Sequence, residues 1–400
     1  MTLKAASILN KNAKQLKQSR ILEEKSLEWI LKGVGARVDT PKSADSVAEV
    51  CREYIQEKID IVIVSGGDGT VQNFLTHNFR ELYKKFNTGG MTPIEFGRVL
   101  NNMALDPDTG LVLPAAYHRM KGTVNTYGKT LDMRSDIEIM AENLDDALHK
   151  YSEYGARAFR RIYVPILMIY DPDNQDIDNV QLMTLYADSM IYNIFEEYYG
   201  PKDQGNAVGP LDSLKIIVRA GVSAILDKML PRDRSVGKIY KNRYIDRIVQ
   251  ESIGEVKADG TTIVGKEYDR NAMAIGTMNA NLYGIKPFNK MPRKPKQFNA
   301  FFHATAPERK ELLNPEDYHF QLLVGNIKLL DVAKRLPNFY LNRSSRIRGV
   351  ADIMTKRVEI NDVEPLRYIG DGGRFLGGRN MVIEIAYLQP FVQLNHRPMQ

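Results

Sequence analysis

The apolar positions of this chain change their period partway along it. Between Ile59 and Val64, five branched aliphatic residues fill six positions, the pattern of a strand buried on both faces within a parallel sheet. Ser65, Gly66, Gly67, Asp68, Gly69 and Thr70 follow at once, and then Val71, Phe74, Leu75, Leu82 and Phe86 recur at helical spacing. Upstream, Ala5 to Leu9 reads as a short apolar strand, and Ile21, Leu22, Leu27, Ile30 and Leu31 as a helix stopped at Gly33 and Gly35. Asp39-Thr40-Pro41 opens a turn, and Asp45 or Ser46 is expected to cap a helix carrying Val47, Val50, Tyr54 and Ile55. Strand and helix alternating in this way predict a parallel sheet. The interval from Thr88 to Pro114 reads as polar and irregular, with a turn cluster from Asp106 to Gly110.

From Arg157 onward the texture turns to short β-type runs. Ile162 to Tyr170, Val180 to Tyr186, Thr261 to Val264, Ala272 to Ile275 and Val358 to Ile360 are rich in β-branched residues and bounded by turn signals. Helical interruptions are expected near Ile191 to Tyr199 and Leu211 to Leu226, and Asp259-Gly260-Thr261 reads as a hairpin turn. The pattern divides the chain into an α/β domain with a Rossmann-like parallel sheet over residues 1–155 and a β-rich, sandwich-like domain over 156–400. The last strands are expected to pack back on the first domain.

Length and composition narrow the picture only a little. A chain of 400 residues can build two cores. Its one cysteine, Cys51, excludes an intrachain disulfide and sits in a helical pattern suited to packing. The N-terminal apolar run is too short for a signal peptide, and no run approaches the ~20 apolar residues that span a bilayer, so a cytoplasmic location is expected. A formal charge of +6 suits anionic partners without choosing among them. No histidine pair has zinc-ligand spacing, and no Gly-x-Ser-x-Gly elbow occurs.

The glycine-rich turn is where chemistry is expected. Glycines let backbone N–H groups approach an anion, and the helix that follows adds its positive dipole end. The spacing is not that of a Walker loop, nor is it the Gly-x-Gly-x-x-Gly of a dinucleotide fold. A second glycine-hydroxyl turn, Lys121-Gly122-Thr123-Val124-Asn125-Thr126, follows Leu111-Val112-Leu113-Pro114 after a short gap. Asp68 shares the negative sign of a phosphate. Beside one it must act through Mg²⁺ or accept a proton from an attacking hydroxyl, and the residues leave both roles open.

Gly66-Gly67-Asp68-Gly69-Thr70 resembles the signature of the diacylglycerol kinase, sphingosine kinase and NAD kinase superfamily. The second turn is similar to that superfamily's Gly-Thr-x-Asn segment, and Tyr368 to Gly373 followed by Met381 to Leu388 resembles its closing Asp-Gly-Glu and strand pair. The resemblance runs across nearly the whole chain. It implies an ATP- and Mg²⁺-dependent lipid kinase with nucleotide and acceptor in the cleft between two lobes. On this basis Asn10, Lys14, Thr40, Gly66, Gly67, Asp68, Gly69, Thr70, Gly122, Thr123 and Asn125 would hold the nucleotide. Asp68 and Asp371 would be catalytic, Asp68 would also ligate the metal, and Asp188 would lie near the acceptor head group.

This sequence departs from the family pattern at several places. Lys11 stands where proline is usual, Gln72-Asn73 where many relatives carry Asn-Glu, Thr126 where aspartate is common, and Gly373 in place of a glutamate. Two alternatives therefore remain, an NAD kinase-like enzyme and a non-catalytic nucleotide- or lipid-binding regulator. The expected partner is a lipid at a membrane surface, with no nucleic acid and with homodimerisation open. Lys286 to Lys296, five cations interleaved with Phe288 and Met291, would supply reversible peripheral docking.

Overall fold

The computed structural model describes residues 3–10, 28–121, 125–133, 137–154, 160–203, 252–265, 269–280, 286–291, 313–327 and 348–393. Its first part contains β1 (Ala5–Leu9), β2 (Arg37–Asp39), α1 (Ala44–Glu57), β3 (Ile61–Gly66), α2 (Asp68–Phe86), α3 (Pro93–Leu105), β4 (Ala115–Met120), α4 (Thr126–Thr130) and α5 (Ile137–Tyr154). Every residue of β3 is buried, as its aliphatic run requires. It lies between β1 and β4, with β2 beyond β1, and all these pairings are parallel. α1 begins earlier than expected. Ser43 is its cap, and Ser46 answers from the third helical position in a capping box.

Two elements escaped the pattern reading. The interval taken as irregular contains α3, started by a Thr92–Glu95 capping box with Pro93 at the first helical position. The gap before the second turn is β4, a fully embedded strand that carries Tyr117, His118 and Arg119 in the interior.

The second part contains β5 (Arg160–Tyr170), β6 (Gln181–Met183), β7 (Leu185–Ser189), α6 (Met190–Asp203), β8 (Ser252–Ala258), β9 (Thr261–Val264), β10 (Asp269–Arg270), β11 (Ala272–Gly276), β12 (Phe320–Gly325), β13 (Val350–Thr355), β14 (Arg357–Asp362), β15 (Arg367–Gly370), β16 (Gly373–Leu376) and β17 (Asn380–Gln393). The run from Val180 to Tyr186 is broken at Thr184 into β6 and β7. Asp259 and Gly260, both at positive φ, form the hairpin turn between β8 and β9. The helix expected at Leu211 to Leu226 lies outside the described residues.

Strand β17 joins the two parts. It pairs antiparallel with β5 along its length and with β14 at its start, and near its end Phe391 pairs in parallel with Ala116 of β4. A mixed sheet of eleven strands therefore runs from β2 through β4 and β17 to β8 and β10. A second sheet, antiparallel throughout, has the order β13-β12-β11-β7-β15-β16. Leu167, Val256, Val358 and Ile383 of the first sheet meet Met273, Phe320, Leu322 and Tyr368 of the second in one buried cluster. The architecture is an α/β part with parallel strands and a β-rich part closed by the second sheet.

Helix α3 fixes β17 where its ladder is irregular. The register with β5 shifts between Ile385 and Tyr387, and Asn101 makes good the adjacent backbone. Its side chain donates to the Leu388 carbonyl at 2.8 Å and accepts from the Leu388 N–H at 2.8 Å. Asn101→Leu would leave both backbone groups buried and unpaired, at roughly 1–3 kcal/mol each. Urea denaturation should show stability lowered by about 2–6 kcal/mol. An unchanged midpoint would show that the bulge needs no such support.

Candidate functional site

The first glycine turn is built by close approach. A Cβ on Gly66 would land inside the Thr70 side chain, so only glycine lets the first turn of α2 fold back over the end of β3. Thr70 is held in place from β1, since Asn10 Nδ2 donates to its hydroxyl at 2.9 Å while the Asn10 N–H donates to the Ser65 carbonyl at 3.0 Å. Asn10, Gly66, Gly67, Gly69 and Thr70 are thus gathered at the carboxyl ends of β1 and β3. That edge of an open parallel sheet is where ligands bind. Thr40 follows β2 at the same edge and is half-buried. Lys14, Gly122 and Thr123 lie outside the described residues.

Asp68 connects this turn to the second one. It is buried, and its Oδ2 accepts the Thr126 N–H at 2.8 Å while Oδ1 accepts the Tyr127 N–H at 3.2 Å. Both donors open α4, which Asn125 precedes with φ 54°. Hydrogen bonds to an ionised acceptor are among the stronger ones in proteins, and this pair holds the first turn against the start of α4. The Lys121 N–H adds a third link, donating to the Gly66 carbonyl at 2.8 Å.

Sequence reasoning missed His118, which sits in the same place. Its Nε2 lies 3.0 Å from the Gly66 carbonyl, its Nδ1 accepts the Gly128 N–H at 3.2 Å, and Nδ1 is 4.0 Å from Asp68 Oδ1. Only a strand assignment for β4 would have pointed to it.

Among the described residues no group of three His, Cys, Asp or Glu side chains could hold a metal unaided. Asp68 does fit a magnesium site of another kind. Each of its oxygens takes one backbone donor, leaving lone pairs for a cation, and Mg²⁺ is commonly held by one or two carboxylates with phosphate oxygens and water.

The second carboxylate expected to be catalytic, Asp371, is differently placed. With Gly372 it forms the positive-φ turn between β15 and β16. Its carboxylate accepts the Thr184 N–H at 2.7 Å, the Thr184 hydroxyl at 3.0 Å, the Leu185 N–H at 3.0 Å and the Tyr127 hydroxyl. Burial pushes its pKa up to about 7, against the opposing effect of the Tyr127 and Thr184 hydrogen bonds. A pKa near neutrality suits a general base, but geometry decides otherwise. Asp371 is 4% exposed and both oxygens are engaged by buried donors, so it fastens the β15–β16 hairpin to β7 and α4. The hairpin reaches the first turn, and a Cβ on Gly69 would lie 3.8 Å from the Gly372 carbonyl carbon.

Two expected acidic positions are closed. A Cβ on Gly373 would stand 2.7 Å from the Phe375 ring, which stacks on Tyr368 at 5.3 Å. The family's glutamate could enter there only if Phe375 moved. Asp188 faces no acceptor site. In β7 it pairs across the ladders with Met273 and Tyr368, core residues whose side chains share its face of the sheet. It is fully buried against Arg270 at 3.1 Å, and Arg270 also holds Asp362 at 2.6 Å. At the other departures, Gln72 is buried and donates to Thr76 at 3.0 Å, whereas Asn73 is exposed on α2.

The basic segment corrects in the same way. Phe288 and Met291 are buried beside Ala274 and Ala280, and Lys290 pairs with Asp352 at 3.2 Å. The apolar residues expected to enter a membrane are therefore core. Arg293, Lys294 and Lys296 lie outside the described residues. Among the described residues no helix is long and apolar enough to cross a membrane.

A parallel sheet edge carrying the Gly66–Thr70 turn, with Asp68 bonded to the start of α4, is the candidate site of this α/β part. Residues 4–89 match the model of the diacylglycerol kinase catalytic domain family. Two crystal structures from Bacillus anthracis str. Sterne, each provisionally described as a diacylglycerol kinase, share the fold. Both are 14% identical and align over 99% of this chain and 98% of their own, with TM-scores of 0.53 and 0.52. No curated protein matches the sequence significantly.

The buried Asp371 makes stability depend on pH. Its pKa is raised from 3.8 to about 7 in the folded state, so between these values the native protein holds a proton that the unfolded chain has lost. Stability should therefore fall as pH rises through that window and level off above it, by at most about 4 kcal/mol. Asp371→Asn should flatten this slope in urea midpoints measured from pH 4 to 8. Parallel profiles for wild type and variant would show that another group sets it.

Proposed function

We propose that the protein is a lipid kinase that transfers the γ-phosphate of ATP to a hydroxyl of a diacylglycerol- or sphingoid-like lipid, reaching a membrane surface reversibly. The observation that carries this reading is the Asp68 bridge, which joins the first glycine turn to the start of α4 at the sheet edge. Phosphoryl transfer asks the protein chiefly for position and charge stabilisation. The first backbone amides of α2 suit phosphate oxygens, and Asn10 holds the Thr70 hydroxyl oxygen beside the same turn. Asp68 is the carboxylate left for chemistry, either accepting the proton of the lipid hydroxyl or holding Mg²⁺. Bound there, Mg²⁺ would neutralise phosphate charge.

A second reading, nucleotide binding without turnover, is favoured by one observation: the engagement of Asp371 and the closure around Gly373 leave no second carboxylate among the described residues of this turn cluster. The two readings separate in one experiment, incubation with labelled ATP, Mg²⁺, a panel of lipid alcohols and, as a separate acceptor, NAD. The kinase reading expects labelled lipid, and Asp68→Asn should lower kcat about a hundredfold or more. ATP binding with no labelled product would establish the second reading. Label in NADP alone would identify an NAD kinase.

A further inference from the structure

We infer that His118, which belongs to neither glycine turn, is the positioning residue that sets the distance between them and thereby shapes the nucleotide site. The inference rests on the kinase reading for its functional sense and on geometry for its substance. His118 stands in β4, one strand over from β3, and it is fully buried. One ring nitrogen faces a carbonyl of the first turn, Gly66, and the other faces an N–H of the helix after the second turn, Gly128.

These partners select one form of the ring. Nδ1 meets a donor and must be the acceptor. Nε2 meets a carbonyl oxygen and must carry the proton. An imidazolium would gain from Asp68 at 4.0 Å but would set its Nδ1–H against the Gly128 N–H. The Tyr127 ring stands edge-on at 6.1 Å. Gly128 has no room for a side chain, because a Cβ there would collide with Met120, and that closeness brings its N–H within reach. The imidazole thus acts as a rigid spacer of fixed length and polarity. The Asp68 bridge can then form only at one separation of the turns.

Three substitutions and one spectrum test this. Asparagine can place an acceptor near the Nδ1 position and glutamine a donor near the Nε2 position, so His118→Asn and His118→Gln each retain one half of the link. His118→Phe retains neither. Titration with ATP should show about tenfold weaker binding for His118→Phe and intermediate losses for the other two. In turnover, KM for ATP should rise while KM for the lipid stays constant. In wild type without nucleotide, long-range proton–nitrogen NMR should find the proton on Nε2. If His118→Phe does not fold, the asparagine and glutamine variants decide by the same titration. A folded variant set with wild-type ATP affinity, or a proton on Nδ1, would overturn the inference. A wild type that binds no ATP yet shows the expected tautomer and turn geometry would sink the kinase reading alone.

Discussion

The contact on which the site depends is the acceptance of two backbone N–H groups, from Thr126 and Tyr127, by the carboxylate of Asp68. Asp68 is the first residue of α2 and lies at the opening of α4, so two helix N-termini share one negative charge. Such placement is favourable at each helix alone. At both together it draws the starts of α2 and α4, separated in sequence by α2 itself, α3 and β4, onto one side of the sheet. Any residue in this position must be short, acidic and free of a clash with the glycines around it.

Tyr127 extends the same joint to the rest of the molecule. Its N–H belongs to Asp68 and its hydroxyl to Asp371, while its ring stacks on Phe391 of β17 at 5.6 Å. The nucleotide side is thereby tied to the second sheet through Asp371 and to the shared sheet through Phe391. Farther out, Arg270 of β10 and Asp362 of β14 in the first sheet meet Asp188 of β7 in the second. A buried ionic group of this kind adds little net stability, but removing one member leaves an uncompensated charge. Its effect is to make any other pairing of the two sheets costly.

Much of this was legible because local pattern and global environment agree. The aliphatic run of β3 could only be an interior strand, and the glycines after it mark the tight turn into α2 that the close approach of Thr70 to Gly66 requires. β4 was illegible for the opposite reason. Tyr117, His118 and Arg119 are unusual tenants of a fully buried strand, and their polarity masked it. α3 was hidden by Asn101 and Asn102 although Thr92, Pro93 and Glu95 mark its start plainly. Asp188 and the pair Phe288 and Met291 show a further limit. The resemblance suggested an acid near an acceptor head group and composition a membrane-facing loop, but register and long-range packing place all three inside, and neither quantity can be read from adjacent residues.

The central claim is that two turns, clasped by Asp68, form a single nucleotide site. Amide hydrogen exchange with and without Mg-ATP addresses it most directly, because exchange reports each backbone segment separately. The account predicts slowed exchange at 66–70 and at 125–128 together, with comparable onset as ATP is raised. Protection of the first segment without the second, or protection confined to strands of the second sheet, would contradict it.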